Sequence, residues 1–111
     1  MEPVIQGDVY IAEYSEYNED GPDRALKSFY FIDRILNKEI CDVVVITFWN
    51  KSLPTLYSTT GPMSDILAPP VEGSIRLGTK KEWNQALYRL YDVLENHTRW
   101  VYKLNTQEGK E

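Results

Sequence analysis

A chain of 111 residues that is 42% hydrophobic and 26% charged suits one globular domain, with a core large enough to stand without a metal or disulfide staple. Its one cysteine excludes an internal disulfide framework and a cysteine-based zinc site, and neither an apolar run near 18 residues nor a basic-then-apolar leader is present. With one cysteine and neither span nor leader, the expected setting is a reducing cytoplasm, and a formal charge of -5 with a pI of about 4.9 argues against a non-specific binder of nucleic acid or of anionic membranes, so no membrane contact is expected.

Gly7 and Asp8 open a first strand over residues 9–14, with Tyr10, Ala12 and Tyr14 on one face and Val9, Ile11 and Glu13 on the other. Residues 15–23 form a polar, acidic loop broken by Gly21-Pro22. A second strand over residues 26–35 carries the apolar run Phe29-Tyr30-Phe31-Ile32. A third, over residues 40–49, carries Val43-Val44-Val45-Ile46, and a short polar turn between them makes an antiparallel hairpin. Residues 53–58 read as an edge strand entered through Pro54. Gly61-Pro62 turns the chain, residues 63–67 are ambiguous, Pro69-Pro70 makes an extended connector, and residues 74–77 form a short strand. Thr79-Lys80-Lys81-Glu82 matches a capping box. Trp83, Leu87, Leu90 and Leu94 then form one helical stripe, expected to end near Asn96 and to be buried against residues 29–32 and 43–46. Residues 99–104 read as a last strand with Trp100 and Tyr102 on one face.

These elements predict a mainly β domain over residues 1–104 with one C-terminal helix, and a frayed polar tail over residues 105–111. The economical arrangement is a small SH3-like antiparallel barrel whose open end the helix covers. The alternative is an open α+β sheet with the helix across one face.

The chain contains no glycine-rich phosphate loop, HExxH, GxSxG or Cys–His pairing of plausible spacing, and no cofactor or metal is expected. His97 reads as a residue of the helix's last turn, favoured there by the macrodipole. Cys41, with no basic neighbour to activate it, reads as a small buried hydrophobe. The loop is more informative. Glu16, Glu19, Asp20 and Asp23 lie close together with Tyr17 interleaved and no cation before Arg24. Such a loop is a solvated connection, a docking face for a basic protein, the carboxylates steering and Tyr17 anchoring, or a calcium site, although its spacing is not that of an EF-hand loop. Aromatic residues make up 13% of the chain, eight Tyr and three Trp among them, more than a small core takes up, and such residues dominate binding hot spots.

Gly7-Asp8-Val9-Tyr10-Ile11-Ala12-Glu13-Tyr14-Ser15 resembles the opening strand of PemK/MazF-like toxins. Val45-Ile46-Thr47 resembles the family's strand ending in Thr or Ser, and Leu53-Pro54-Thr55 the strand after it. The resemblance implies a small barrel and endoribonuclease chemistry, with Thr47 and a nearby cation, Lys27 or Arg24, serving the 2′-hydroxyl attack and the phosphate. The family's Arg-Pro has no counterpart, since Lys27-Ser28 stands there, and lysine cannot supply arginine's bidentate fork.

The expected function is therefore that of a small acidic, non-enzymatic inhibitor of immunity, antitoxin-like or phage counter-defence type. It would dock a basic protein, such as a nuclease or nucleic-acid-binding protein, through Glu16, Tyr17, Glu19, Asp20 and Asp23. The alternatives are a PemK/MazF-like endoribonuclease toxin and a structural or assembly subunit. A homodimer is compatible with each of them, and direct nucleic-acid binding is not expected of the inhibitor.

Overall fold

The computed structural model describes residues 3–15 and 20–108, with side chains as far as Thr98. Five strands form one antiparallel sheet: β1 (Val9–Tyr14), β2 (Ala25–Ile35), β3 (Ile40–Trp49), β4 (Thr55–Pro62) and β5 (Gly73–Gly78). A short helix α1 (Met63–Ile66) precedes β5, and a long helix α2 (Lys80–Glu108) follows it. The sheet order is β4-β3-β2-β1-β5. The outer strands β4 and β5 do not meet, so the sheet is open. This corrects the SH3-like barrel and agrees with the open α+β alternative. The last strand in the chain, β5, pairs antiparallel with the free side of β1 along its whole length, from Val9↔Gly78 to Tyr14↔Gly73. That pairing extends the sheet at the edge away from β4 instead of joining its ends.

The first strand owes its start to Gly7, whose φ of 92° is a conformation other residues resist. Its N–H donates to the Ile32 carbonyl at 2.8 Å, while the Asp8 carboxylate accepts from the Ile5 N–H at 2.9 Å and closes the turn. The β2–β3 hairpin forms as expected, in the register Phe29↔Ile46 and Phe31↔Val44, with bulges at Ala25/Lys27 and Ile32/Arg34.

Alternation along the strands gives the sheet two different apolar faces. On one, Val9, Ile11, Phe29, Ile46 and Phe48 meet Trp83, Ala86 and Leu90 of α2. Trp83 stacks on Phe31 with ring centroids 5.4 Å apart, and the Arg89 guanidinium lies 4.5 Å from the centre of the Phe48 ring. On the other, Ile32, Cys41, Val43 and Val45 are covered by Val4, Tyr10, Tyr30 and the residues of α1 and its end, Met63, Ile66 and Leu67. Cys41 is the buried hydrophobe the sequence suggests, and burial pushes its thiol pKa up.

The capping box is realised in full. The Glu82 N–H donates to Thr79 Oγ1 at 3.1 Å, and Glu82 Oε1 accepts from the Thr79 N–H at 3.1 Å. Thr79→Ala is expected to lower stability by about 1 kcal/mol in urea unfolding, because an amide donor of the first turn loses its partner. Arg76 adds a second tie, its Nη2 lying 2.7 Å from Glu82 Oε2. The Arg76 hydrogen bond, then the Arg76 charge and the Thr79 cap bonds, hold the Glu82 carboxyl at a pKa of about 2, below its ordinary 4.5. A depressed folded-state pKa stabilises above the unfolded value and is lost on acidification. The stability advantage of wild type over Glu82→Gln is therefore expected to be constant above about pH 5 and to disappear as pH falls through about 2. Urea titrations at several pH values read this directly.

The far end of α2 departs from expectation. The helix does not end near Asn96 but continues to Glu108, through the residues expected to form a last strand, 99–104. His97 is thus an exposed mid-helix residue and not a member of the last turn. Of the expected stripe, Trp83 and Leu90 are buried and Leu87 half-buried, whereas Leu94 remains 38% exposed. Geometry explains the difference. Five strands about 4.8 Å apart are spanned by some fifteen helical residues at 1.5 Å each, so α2 has crossed the sheet by about Leu94. Residues 95–98 still flank Leu56 of β4, and the helix then runs on to Glu108, in keeping with Cα extents of 62 × 31 × 24 Å.

Candidate functional site

Thr47 and Ser28 face each other across β3 and β2. Their hydroxyl oxygens are 3.0 Å apart and both residues are buried. They sit on the sheet face away from α2, in a row of small residues that also holds Ala12 and Thr55. Beside it runs a second row, Tyr10, Tyr30, Val45 and Tyr57. Burial, reinforced by the neighbouring Tyr14, raises the Tyr30 phenol to about 12, while Ser28 is its hydrogen-bond partner. At the end of the face the Trp49 indole N–H donates to Thr55 Oγ1 at 3.1 Å. Among the described residues no buried side-chain polar atom lacks a partner.

Neither cation of the expected ribonuclease set joins Thr47. Lys27 follows the opposite parity along β2. Its Nζ lies 3.4 Å from Glu13 Oε1 and 5.4 Å from the centre of the Phe29 ring, on the side of α2. Arg24 binds through its backbone: its N–H donates to Asn50 Oδ1 at 2.7 Å, and its carbonyl accepts from the Asn50 N–H at 3.1 Å. A hydroxyl partnered by another neutral hydroxyl has no base to activate it. The pair instead satisfies two buried polar groups. Thr47→Val alone is expected to cost about 1 kcal/mol, and Thr47→Val with Ser28→Ala less than the sum of the two single changes, as a double-mutant cycle in urea would show.

Of the acidic loop, Glu16, Tyr17 and Glu19 lie outside the described residues. Asp20 sits at the loop's end, and Asp23 is committed within the fold. The Asp23 carboxylate accepts from the Lys51 N–H at 3.0 Å and from the Ser52 hydroxyl, while the Lys51 ammonium donates to the Gly21 carbonyl. The Ser52 hydrogen bond holds the Asp23 pKa below its ordinary value. Asp23 therefore clasps the loop to the turn between β3 and β4.

Two concavities among the described residues bear on function. One, of about 340 Å³, is lined by Asp33, Asp42, Val43, Val44, Ser58, Thr59 and Thr60. Of its two carboxylates, that of Asp42 is engaged, accepting from the Thr60 hydroxyl and from Arg34 at 2.9 Å, and these bonds lower its pKa. Among the described residues no three His, Cys, Asp or Glu side chains gather to hold a metal ion. The other, about 510 Å³, is an apolar groove between α2 and β4 lined by Leu56, Leu87, Leu90, Tyr91, Leu94, Glu95 and Thr98. Leu56 and Tyr91 are 52% and 67% exposed, unusual for large apolar side chains brought together at one place. The groove was missed in the sequence because it depends on where α2 leaves the sheet. A signal was present nonetheless: the spacing of Trp83, Leu87, Leu90 and Leu94 continues at Val101 and Leu104, with His97 between.

An open five-stranded antiparallel sheet crossed by one helix defines an α+β domain whose exposed feature is an apolar groove. Compared with known proteins, the chain matches no family model, no curated protein and no solved structure. Among the described residues no helix is long and apolar enough to cross a membrane.

Proposed function

We propose that this chain is a non-enzymatic structural or assembly subunit that acts by protein–protein contact along the groove between α2 and β4. The supporting observation is the unfilled apolar surface of Leu56, Tyr91 and Leu94 at the point where α2 leaves the sheet. Surfaces of this kind lower their free energy by excluding water against another apolar surface, at roughly 25 cal/mol per Å² buried. The endoribonuclease reading draws less support, since Lys27 and Thr47 stand on opposite faces of the sheet. Docking of a basic partner at the acidic loop draws none from Asp23, which is occupied by Lys51 and Ser52.

A photoreactive phenylalanine analogue placed at Tyr91, or at Asn96 on the same helix outside the groove, tests this reading in cells making the protein. A protein adduct formed from position 91 and not from position 96 is expected. Absence of adducts at 91, or equal labelling at both positions, would overturn the reading. Cleavage of RNA by the purified protein, lost in both Lys27→Ala and Thr47→Val, would replace it with the ribonuclease.

A further inference from the structure

We infer that the occupant of the groove is a second copy of this chain, the two α2 helices running antiparallel about a two-fold axis. In this arrangement the part of each helix beyond Thr98 lies along the groove and β4 edge of the other copy. The inference rests on the assembly reading above and names its partner.

Length is the first ground. The groove runs along α2 from Leu87 to Thr98, roughly 17 Å of helix, and residues 99–108 continue roughly 15 Å beyond it. Each copy thus carries one groove and one projecting segment of matching length. Exchange of the two about a two-fold axis satisfies both copies and closes the assembly at two. Charge is the second. Written as a heptad, α2 has Trp83, Leu87, Leu90, Leu94, His97, Val101 and Leu104 at its two seam positions. The flanking positions between Asn84 and Gln107 hold only Asn, Ala, Tyr, Val, Thr, Trp and Gln. Every Asp, Glu, Lys and Arg from Glu82 to Lys103 falls on the remaining three positions. Glu95 is the one charged side chain among the residues lining the groove, so a chain with a net charge of -5 can meet its own copy along this seam with few like charges apposed. Third, the continuous heptad explains why the stripe persists after the sheet has ended: its first half packs on the chain's own strands and its second half on the other copy.

Sedimentation equilibrium on the full chain decides the matter. Wild type is expected to be a dimer of twice the 12.9 kDa chain mass at micromolar concentration, and Leu94→Arg to weaken self-association by about 10-fold or more. Leu56→Arg, on the β4 side of the groove, is expected to act likewise. Asp92→Lys, an exposed charge change on α2 outside the seam, is expected to leave the dimer intact. Unchanged far-ultraviolet circular dichroism separates loss of pairing from loss of folding, and Leu94 and Leu56 are exposed enough in the single chain for both variants to fold. A monomeric wild type, or a Leu94→Arg variant that dimerises as wild type does, overturns the inference. If wild type is monomeric yet position 91 still labels a different protein, the second copy is excluded while the assembly reading stands. Monomer with no labelling removes both.

Discussion

Trp83→Ala is expected to lower the unfolding free energy by about 3–5 kcal/mol, the largest effect of any single change in α2. Trp83 is buried to 8% exposure in the first turns of the helix and stacks on Phe31. Its loss removes the apolar area of an indole and leaves a void between β2 and α2. The surroundings can close that void only by moving a helix already tied at its start by Thr79, Glu82 and Arg76. Equilibrium unfolding in urea measures the loss through a lowered midpoint with an unchanged slope. Phe31→Leu should remove part of the same stacking energy, so the double variant is expected to lose less than the two single variants together. A loss below about 1 kcal/mol for Trp83→Ala would mean that α2 does not pack on the sheet through this residue.

Gly73→Ala is the second large effect, and it comes from backbone proximity and not from a lost contact. A β-carbon at Gly73 would stand 2.1 Å from the Glu13 carbonyl oxygen and 2.8 Å from Pro70 Cγ. The oxygen belongs to a strand paired on both sides, so no side-chain rotation relieves the clash. The start of β5 must move away from β1, giving up the Tyr14↔Gly73 pairing and the bond from the Ser15 N–H to the Glu72 carbonyl. A destabilisation of about 1–3 kcal/mol is expected, with faster amide exchange at Ser15 and through β5 than elsewhere in the sheet. Gly61→Ala provides the comparison: its nearest neighbour would be Ile66 Cδ1 at an ordinary 3.6 Å, and it is expected to be close to neutral. Equal effects at the two positions would show that chain entropy and not the close approach governs β5.

The sites divide according to how local their determinants are. Thr47 is a candidate through its resemblance to the toxin family's strand-end Thr or Ser, and it lies buried on β3. Its separation from Lys27 could not be read from either residue, because it depends on the register Ser28↔Thr47, which places Lys27 on the other face. Asp23 was legible as an acid in a loop. That it clasps Lys51 and Ser52 required two segments distant in sequence to be brought together. The groove depends on three separate elements: Leu56 on β4, the crossing direction of α2, and the length by which the helix exceeds the sheet.

By itself, the sequence determined what neighbouring residues can settle among themselves. Alternation and β-branching specify the β2–β3 hairpin, the turn at Gly7-Asp8 specifies the start of β1, and the Thr79–Glu82 box specifies where α2 begins. Tertiary structure alone decided whether the sheet closes and where the helix stops. Closure depends on which partner the last strand takes, and β5 takes the free side of β1, leaving β4 as the opposite edge. The alternating pattern of residues 99–104 suits a strand, but a strand needs a distant partner and the loop closure that brings it near. A helix already formed adds each further residue at the cost of ordering that residue alone. With neither Gly nor Pro between Asn96 and Leu104 to stop it, and the Thr98 hydroxyl donating back to the Leu94 carbonyl at 2.8 Å, α2 continues, and the surface that carries the proposed assembly follows from that continuation.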